Sequence, residues 1–146
     1  TRPYVGSSDI MMLHSVADIS GINRISRTVL SNAASAMAGM VKTPIPSATG
    51  DKPIIAATMF GVTTPCVEAC RAILESNGYE VLVFHAVGTG GQAMESLIRD
   101  GLVAGVLDIT TTELADELVG GTLSAGPDRL TSAAHAGIPQ VVSVGA

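Results

Sequence analysis

Three chemically capable residues stand in otherwise apolar surroundings. His85 closes the run Glu80–Ala86, Asp108 lies near the end of Leu102–Ile109, and Glu113 follows the threonines Thr110, Thr111 and Thr112. An imidazole and two carboxylates are what general acid–base chemistry uses. A buried carboxylate is costly unless it is paired or hydrogen-bonded. Asp108 therefore needs a partner: the amides of the following threonines in an Asx-type turn, a ligand hydroxyl, or a magnesium-bound water. Spacing alone does not set the geometry among His85, Asp108 and Glu113. A strand-end histidine is also an ordinary structural residue.

The second feature is the turn Gly88-Thr89-Gly90-Gly91, which leads from an apolar run into a helical pattern. Glycines let backbone N–H groups converge, and a helix amino end adds partial positive charge, so an anion such as phosphate is favoured there. A tight turn that needs glycine for positive φ is the competing explanation. No Gly-Lys-Ser/Thr follows, so this is not a Walker loop, and the full dinucleotide fingerprint is also missing. Thr63, Thr64, Thr110, Thr111, Thr112, Ser143 and Gly145 fall at the same ends of their apolar runs. Their hydroxyls and amides are helix caps or phosphate donors. No Gly-x-Ser-x-Gly elbow occurs, and neither Cys66 nor Cys70 has a neighbour that would activate it, so nucleophilic catalysis has little support.

These residues must be positioned by the elements between them. Apolar runs at Ile54–Met59, Glu80–Ala86, Leu102–Ile109 and Gln140–Val144 predict strands. Helical patterns separate them. Thr64-Pro65 opens one that stops at Asn77-Gly78, with proline at a first-turn position. Gln92–Asp100 forms the second. Thr110 with Glu113 fits a capping box for the third. Pro127 opens a fourth that runs to Ala136. Continuous apolar strands alternating with helices predict a parallel sheet covered on both faces, a Rossmann-like three-layer αβα fold. In such a sheet ligands bind beyond the carboxyl ends of the strands, where the glycines and hydroxyls gather.

Upstream, Ile10–Leu13 reads as a short strand. The spacing of Ile22, Ile25, Val29, Ala33, Ala36 and Met40 predicts a helix whose many small residues suit burial. Residues 43–53 carry three prolines and a Gly-Asp pair, which break helix and strand alike. The expected organisation is thus 1–42 as the tail of an upstream α/β domain, 43–53 as linker, and 54–146 as the Rossmann-like domain. Neither end reads as a natural terminus, so a piece of a longer protein is expected.

Composition narrows the function. The chain of 146 residues is 47% hydrophobic and only 14% charged, with net charge −5. The average domain carries about 25% charged residues. So little charge leaves apolar surface for a partner to cover, and a homo-oligomer is expected. Eight Lys and Arg over the whole length form no basic stripe, which argues against DNA. No apolar run reaches the ~18 residues of a membrane span, and the opening residues carry no signal-peptide pattern. Two cysteines four apart on a helix are poorly placed for bridging, and free thiols fit a cytoplasmic protein.

Several longer runs carry a resemblance. Thr58-Met-Phe-Gly-Val-Thr-Thr-Pro-Cys66, Phe84-His-Ala-Val-Gly-Thr-Gly-Gly91, Gly105-Val-Leu-Asp-Ile-Thr-Thr-Thr-Glu113 and Ser143-Val-Gly-Ala146 are four of them. Tyr4-Val-Gly-Ser-Ser-Asp9, Gly21-Ile-Asn-Arg24, Ser31-Asn-Ala-Ala34 and Ala38-Gly-Met40 add to these. Together they resemble the plant tobamovirus-resistance ATP-binding protein family and its bacterial relatives, over nearly all of the chain. The resemblance implies a two-domain α/β architecture and ATP, with magnesium, as ligand. The plant members are similar to a protein that restrains viral RNA replication by binding replication proteins. It also implies a further glycine-rich loop upstream of Thr1. The expected function is part of a nucleotide- or phospholigand-binding protein that takes a small anionic ligand. The alternatives are an enzyme on a small phosphorylated or carboxylated metabolite and an assembly module.

Overall fold

The computed structural model describes residues 2–44 and 50–145. Contacts along the chain define two compact units, Asp9–Asp51 and Lys52–Ala146, the latter together with Thr1–Ser8. Residues 45–49, the middle of the expected linker, lie outside the described residues.

The larger unit begins with a short helix, α1 (Arg2–Val5), and then holds the sheet. Its strands are β1 (Ile54–Met59), β2 (Glu80–His85), β3 (Gly105–Thr110) and β4 (Gln140–Gly145). Between them run α3 (Thr64–Ser76), α4 (Thr89–Arg99), α5 (Thr112–Val119) and α6 (Ser132–Ala136), with a 3₁₀ turn at Gly61–Thr63 leading into α3. The strand order is β2-β1-β3-β4, and every pairing is parallel. This is the three-layer, Rossmann-like α/β arrangement that the alternating pattern predicts.

Alternation of side chains along each strand gives the sheet two faces. Ala56 and Val106 point to one face and join Met94 and Ile98 of α4, Val103 and Ala133 of α6. Ala57 and Ile109 point to the other, with Val67 of α3 and Val81 of β2. Met94 and Ile98 are almost wholly buried, and each contributes about 1.5–3 kcal/mol. Small alanines on the central strand β1 let the two helical layers come close.

Local signals set the element ends. Asn77 caps α3, and α5 stops at Gly120, whose φ of 75° is left-handed. α4 starts three residues before the expected Gln92, directly at Thr89. The helix expected from Pro127 does not form. Residues 127–131 are turns and only Ser132–Ala136 is helical, because Arg129 turns inward and Leu130 adopts φ 75°.

The smaller unit contains α2 (Arg24–Lys42), capped by the Asn23 side chain on the amides of Ile25 and Ser26. Ile10–Leu13 is not a strand; this unit offers it no strand to pair with among the described residues. Within this chain α2, expected to be buried, lies mostly open. Ser26 is its one buried residue, while Met37, Met40 and Val41 are exposed.

Candidate functional site

The carboxyl ends of β1, β2 and β3 feed the amino ends of α3, α4 and α5, so polar loops meet along one rim. Beneath it lies a fully buried ion cluster. Arg129 donates from Nε to Glu113 Oε2 at 2.7 Å, and from Nη1 to Asp108 Oδ2 at 3.1 Å and Glu95 Oε1 at 3.3 Å. Its Nη2 also donates to Asp108 Oδ1. One guanidinium thus joins β3, α5 and α4. Burial by itself would lower the Arg129 pKa, but the Asp108 and Glu113 carboxylates outweigh it and hold the group above its ordinary value. Arg129 therefore stays charged at every accessible pH.

Each carboxylate has further donors. Asp108 accepts from Thr58 Oγ1 at 3.1 Å and Gln140 Nε2 at 2.8 Å. Glu95 accepts the amides of Leu130 at 2.7 Å and Ser132 at 3.1 Å, and so caps α6 from another helix. Glu113 Oε1 accepts the amides of Gly88 at 2.6 Å and Gly91 at 3.1 Å. Three buried negative charges are balanced by one guanidinium and by the amide dipoles of two helix starts.

This arrangement corrects several expectations. Asp108 is not held by the following threonine amides; its two oxygens bond Arg129, Thr58 and Gln140. Glu113 does not box Thr110: α5 is capped by Thr111 with no side-chain bond, and Glu113 points inward. Gly88 and Gly91 are buried, and their amides serve Glu113 instead of facing a phosphate. His85 is exposed and packs edge-on against Phe60, with ring centroids 5.7 Å apart. It makes no bond to Asp108 or Glu113 among the described residues. The acid–base grouping is therefore not assembled: Arg129 brings Asp108 and Glu113 together, and His85 stands apart.

Most rim hydroxyls are used internally. Thr63 and Thr110 share a hydrogen bond of 2.6 Å between their Oγ1 atoms. Thr64 donates to the Gly61 carbonyl and Thr111 to the Ser143 carbonyl, each at 2.9 Å. The Gly145 carbonyl accepts the Thr111 amide at 3.1 Å, and a Cβ on Gly145 would overlap the Ile109 carbonyl. Among the described residues, the buried Thr112 hydroxyl has no partner. The Thr89 and Gly90 amides, first in α4, likewise find no acceptor among them. Both residues are half-buried, and the Gly90 backbone lies against the His85 carbonyl. Two amides without an acceptor among the described residues thus follow closely in sequence on the exposed His85 and its Phe60 contact.

Sequence reasoning missed Arg129, Glu95, Thr58 and Gln140. The usable signal was an imbalance: acids in apolar segments need a cation, and only eight Lys and Arg exist to supply one. Which of them turned inward was not visible, because Arg129 falls in the segment from Pro127 that reads as helix, and nothing in that pattern marks it as buried. No group of three or more potential metal ligands occurs among the described residues. Cys66 and Cys70 are free thiols, and burial pushes the Cys70 thiol up from its ordinary pKa.

Residues 52–146 match the C-terminal domain of the Uncharacterised protein family (UPF0261), and residues 1–46 match its N-terminal domain. The chain belongs to the UPF0261 family. A UPF0261 protein of Clostridium tetani is 63% identical over the whole chain, which covers 36% of that relative. One from Mesorhizobium japonicum is 56% identical with the same coverage. The ToMV resistance protein Tm-1(GCR237) of Solanum lycopersicum is 51% identical over 151 aligned residues, and the whole chain covers 20% of it. The chain thus spans about a third or less of the relatives it matches. No helix among the described residues is long and apolar enough to cross a membrane.

Proposed function

We propose that this UPF0261 segment forms one wall of a nucleotide- or phospholigand-binding site on the carboxyl rim of its sheet. The observation that carries the reading is the pair of free amides of Thr89 and Gly90 beside the exposed His85. Amides at a helix start favour an anion, and a parallel sheet presents its ligands at this edge. The Thr89 and Gly90 amides would donate to a phosphate oxygen, and His85 would add a donor. The Phe60–His85 edge suits the flat face of a base. ATP with magnesium is the first ligand to try. Magnesium would arrive on the nucleotide phosphates, since Asp108 is closed off by Arg129, Thr58 and Gln140. Free thiols at Cys66 and Cys70 favour a reducing, cytoplasmic setting. Calorimetric titration of the full-length protein with ATP and magnesium tests the reading: saturable heat supports it, and a flat trace removes it.

A second reading is homo-oligomeric assembly through β4. This strand lies at the sheet edge and exposes Val141, Val142 and Val144. The unpaired edge of β4 could take a strand of another chain, and the valines on its two faces are open in a chain that spans about a third of its relatives. Sedimentation of the full-length protein and of Val144→Lys decides it: a dimer lost on substitution supports assembly, and a monomer in both excludes it.

A further inference from the structure

The loop between α5 and α6 is long, and its hold on the rest of the unit is unusual. Of residues 120–131, only Arg129 is buried. The apolar Leu123, Ala125 and Leu130 are half-exposed, and Pro127 is fully on the surface. The remaining ties are polar and local. The Gly121 amide donates to the Asp116 carbonyl at 2.7 Å, the Leu123 amide to Asp116 Oδ2 at 2.6 Å, and Ser124 Oγ to Glu117. These run to α5, the element the loop leaves, and the Leu130 amide runs to Glu95 of α4. Beside the bonds of Arg129 and the Leu130 amide to Glu95, a half-open cleft of about 140 Å³ is lined by Ala125–Asp128 with Gln92 and Arg99.

The same loop crosses the start of α4. A Cβ added to Gly88 would sit 2.7 Å from the Ser124 carbonyl oxygen and 3.1 Å from that of Leu123. The segment therefore lies directly over the turn whose amides Glu113 holds. It is bounded by Gly120 and contains Gly126, both at positive φ. It ends at Leu130, a residue with a side chain held at φ 75°. A left-handed leucine stores strain that persists only while its surroundings enforce it. Here the enforcing contacts are the Leu130 amide on Glu95 and the neighbouring Arg129 on three carboxylates.

We propose that Gly121–Leu130 is a strap that opens as one unit, with Arg129 as its latch, and that opening uncovers the Gly88 turn at the start of α4. A segment with one buried side chain, an open cleft at its side and strain at one end belongs to the less stable part of a fold. The anchor is charged, so water solvates it once it is released, whereas an apolar anchor would resist leaving. Closure is all-or-none because the guanidinium engages Asp108, Glu113 and Glu95 in one geometry. When the strap lifts, the Leu123 and Ser124 carbonyls leave Gly88, and water reaches Glu113 and competes for its bonds to the Gly88 and Gly91 amides. That last consequence, ligand access to those amides, rests on the proposed binding role; the strap itself does not.

Hydrogen exchange followed by mass spectrometry on the full-length protein tests this without any ligand. In the wild type, residues 120–131 and the Gly88 turn are expected to exchange together, at least tenfold faster than β1 and α3. Glu95→Gln loosens one arm of the latch and leaves Asp108 and Glu113 on Arg129, so the fold is kept. It is expected to speed exchange of the strap and of the Gly88 turn about tenfold again, with β1 and α3 unchanged. Arg129→Met gives a larger increase in the same two regions if it folds, and Glu95→Gln decides alone if it does not. Strap exchange in step with β1, or a strap unmoved by Glu95→Gln, overturns the proposal. A second arm adds ATP and magnesium to the wild type. A confined opening with no response to nucleotide keeps the strap and counts only against the binding role.

Discussion

Glu113 Oε1 lies 2.6 Å from the amide nitrogen of Gly88, so a carboxylate of the chain sits where a glycine-rich turn would otherwise receive a ligand oxygen. The same carboxylate reaches Arg129 through its other oxygen at 2.7 Å. The turn is thus tied into the buried cluster, and ligand donors are left only farther out, at Thr89 and Gly90.

The cluster should dominate stability in this half of the chain. Arg129→Met leaves Asp108, Glu113 and Glu95 buried without their cation, and breaking a buried pair from one side costs about 3–5 kcal/mol. Arg129→Lys should recover only part of this, because an ammonium cannot reproduce the forked contacts to Asp108. Urea unfolding of the three proteins, compared by midpoint at constant slope, checks both statements. Equal midpoints would contradict them.

Thr63 and Thr110 form a closed hydroxyl pair at 2.6 Å, both buried. Each hydroxyl also bonds backbone, Thr63 to Phe60 and Thr110 to Thr58, so either Thr→Val substitution removes the shared bond together with that residue's backbone bonds, at about 1–3 kcal/mol. The double variant should cost clearly less than the sum of the two. A double-mutant cycle by thermal unfolding measures this coupling, and strict additivity would contradict it.

Gly90 is a packing glycine. A methyl group there overlaps the His85 carbonyl, so Gly90→Ala should destabilise by about 1–3 kcal/mol, as overpacking does. Substitution at Gly90 is therefore a probe of folding before it is one of binding. Circular dichroism melting of Gly90→Ala checks this; an unchanged melting temperature would show that the turn can give way.

The two cysteines should differ in reactivity. Cys66 is exposed, whereas burial holds the Cys70 thiol above its ordinary pKa. Iodoacetamide at neutral pH should label Cys66 several-fold faster, since the thiolate is the reacting form. Because the folded-state value for Cys70 is the raised one, its protonated thiol favours the fold less and less as pH climbs from its ordinary value through the raised one. Peptide mapping over time gives the labelling ratio.

The fold was legible because its signals are local. Ile54–Met59 is the first strand as read, and Asn77-Gly78, Gly120 and Gly137 end helices where glycine and asparagine chemistry places them. The rim was legible too, since a parallel sheet puts strand-end residues on one edge. What could not be read was the direction of each polar group along that edge. The helix pattern from Pro127 was undone by one buried arginine, which forced Leu130 to positive φ. The capping box at Thr110 was undone because Glu113 gains more from Arg129 and two amides than from one cap. Tertiary charge pairing overrode local preference in both places, and such pairing leaves no periodic trace in a sequence.

The most direct test of the binding role is calorimetric titration of full-length wild-type and His85→Ala protein with ATP and magnesium. His85 is exposed and outside the buried cluster, so its loss leaves the fold intact. The account predicts saturable heat for the wild type and about tenfold weaker affinity for the variant. An absence of heat from the wild type, or identical affinities, would contradict it.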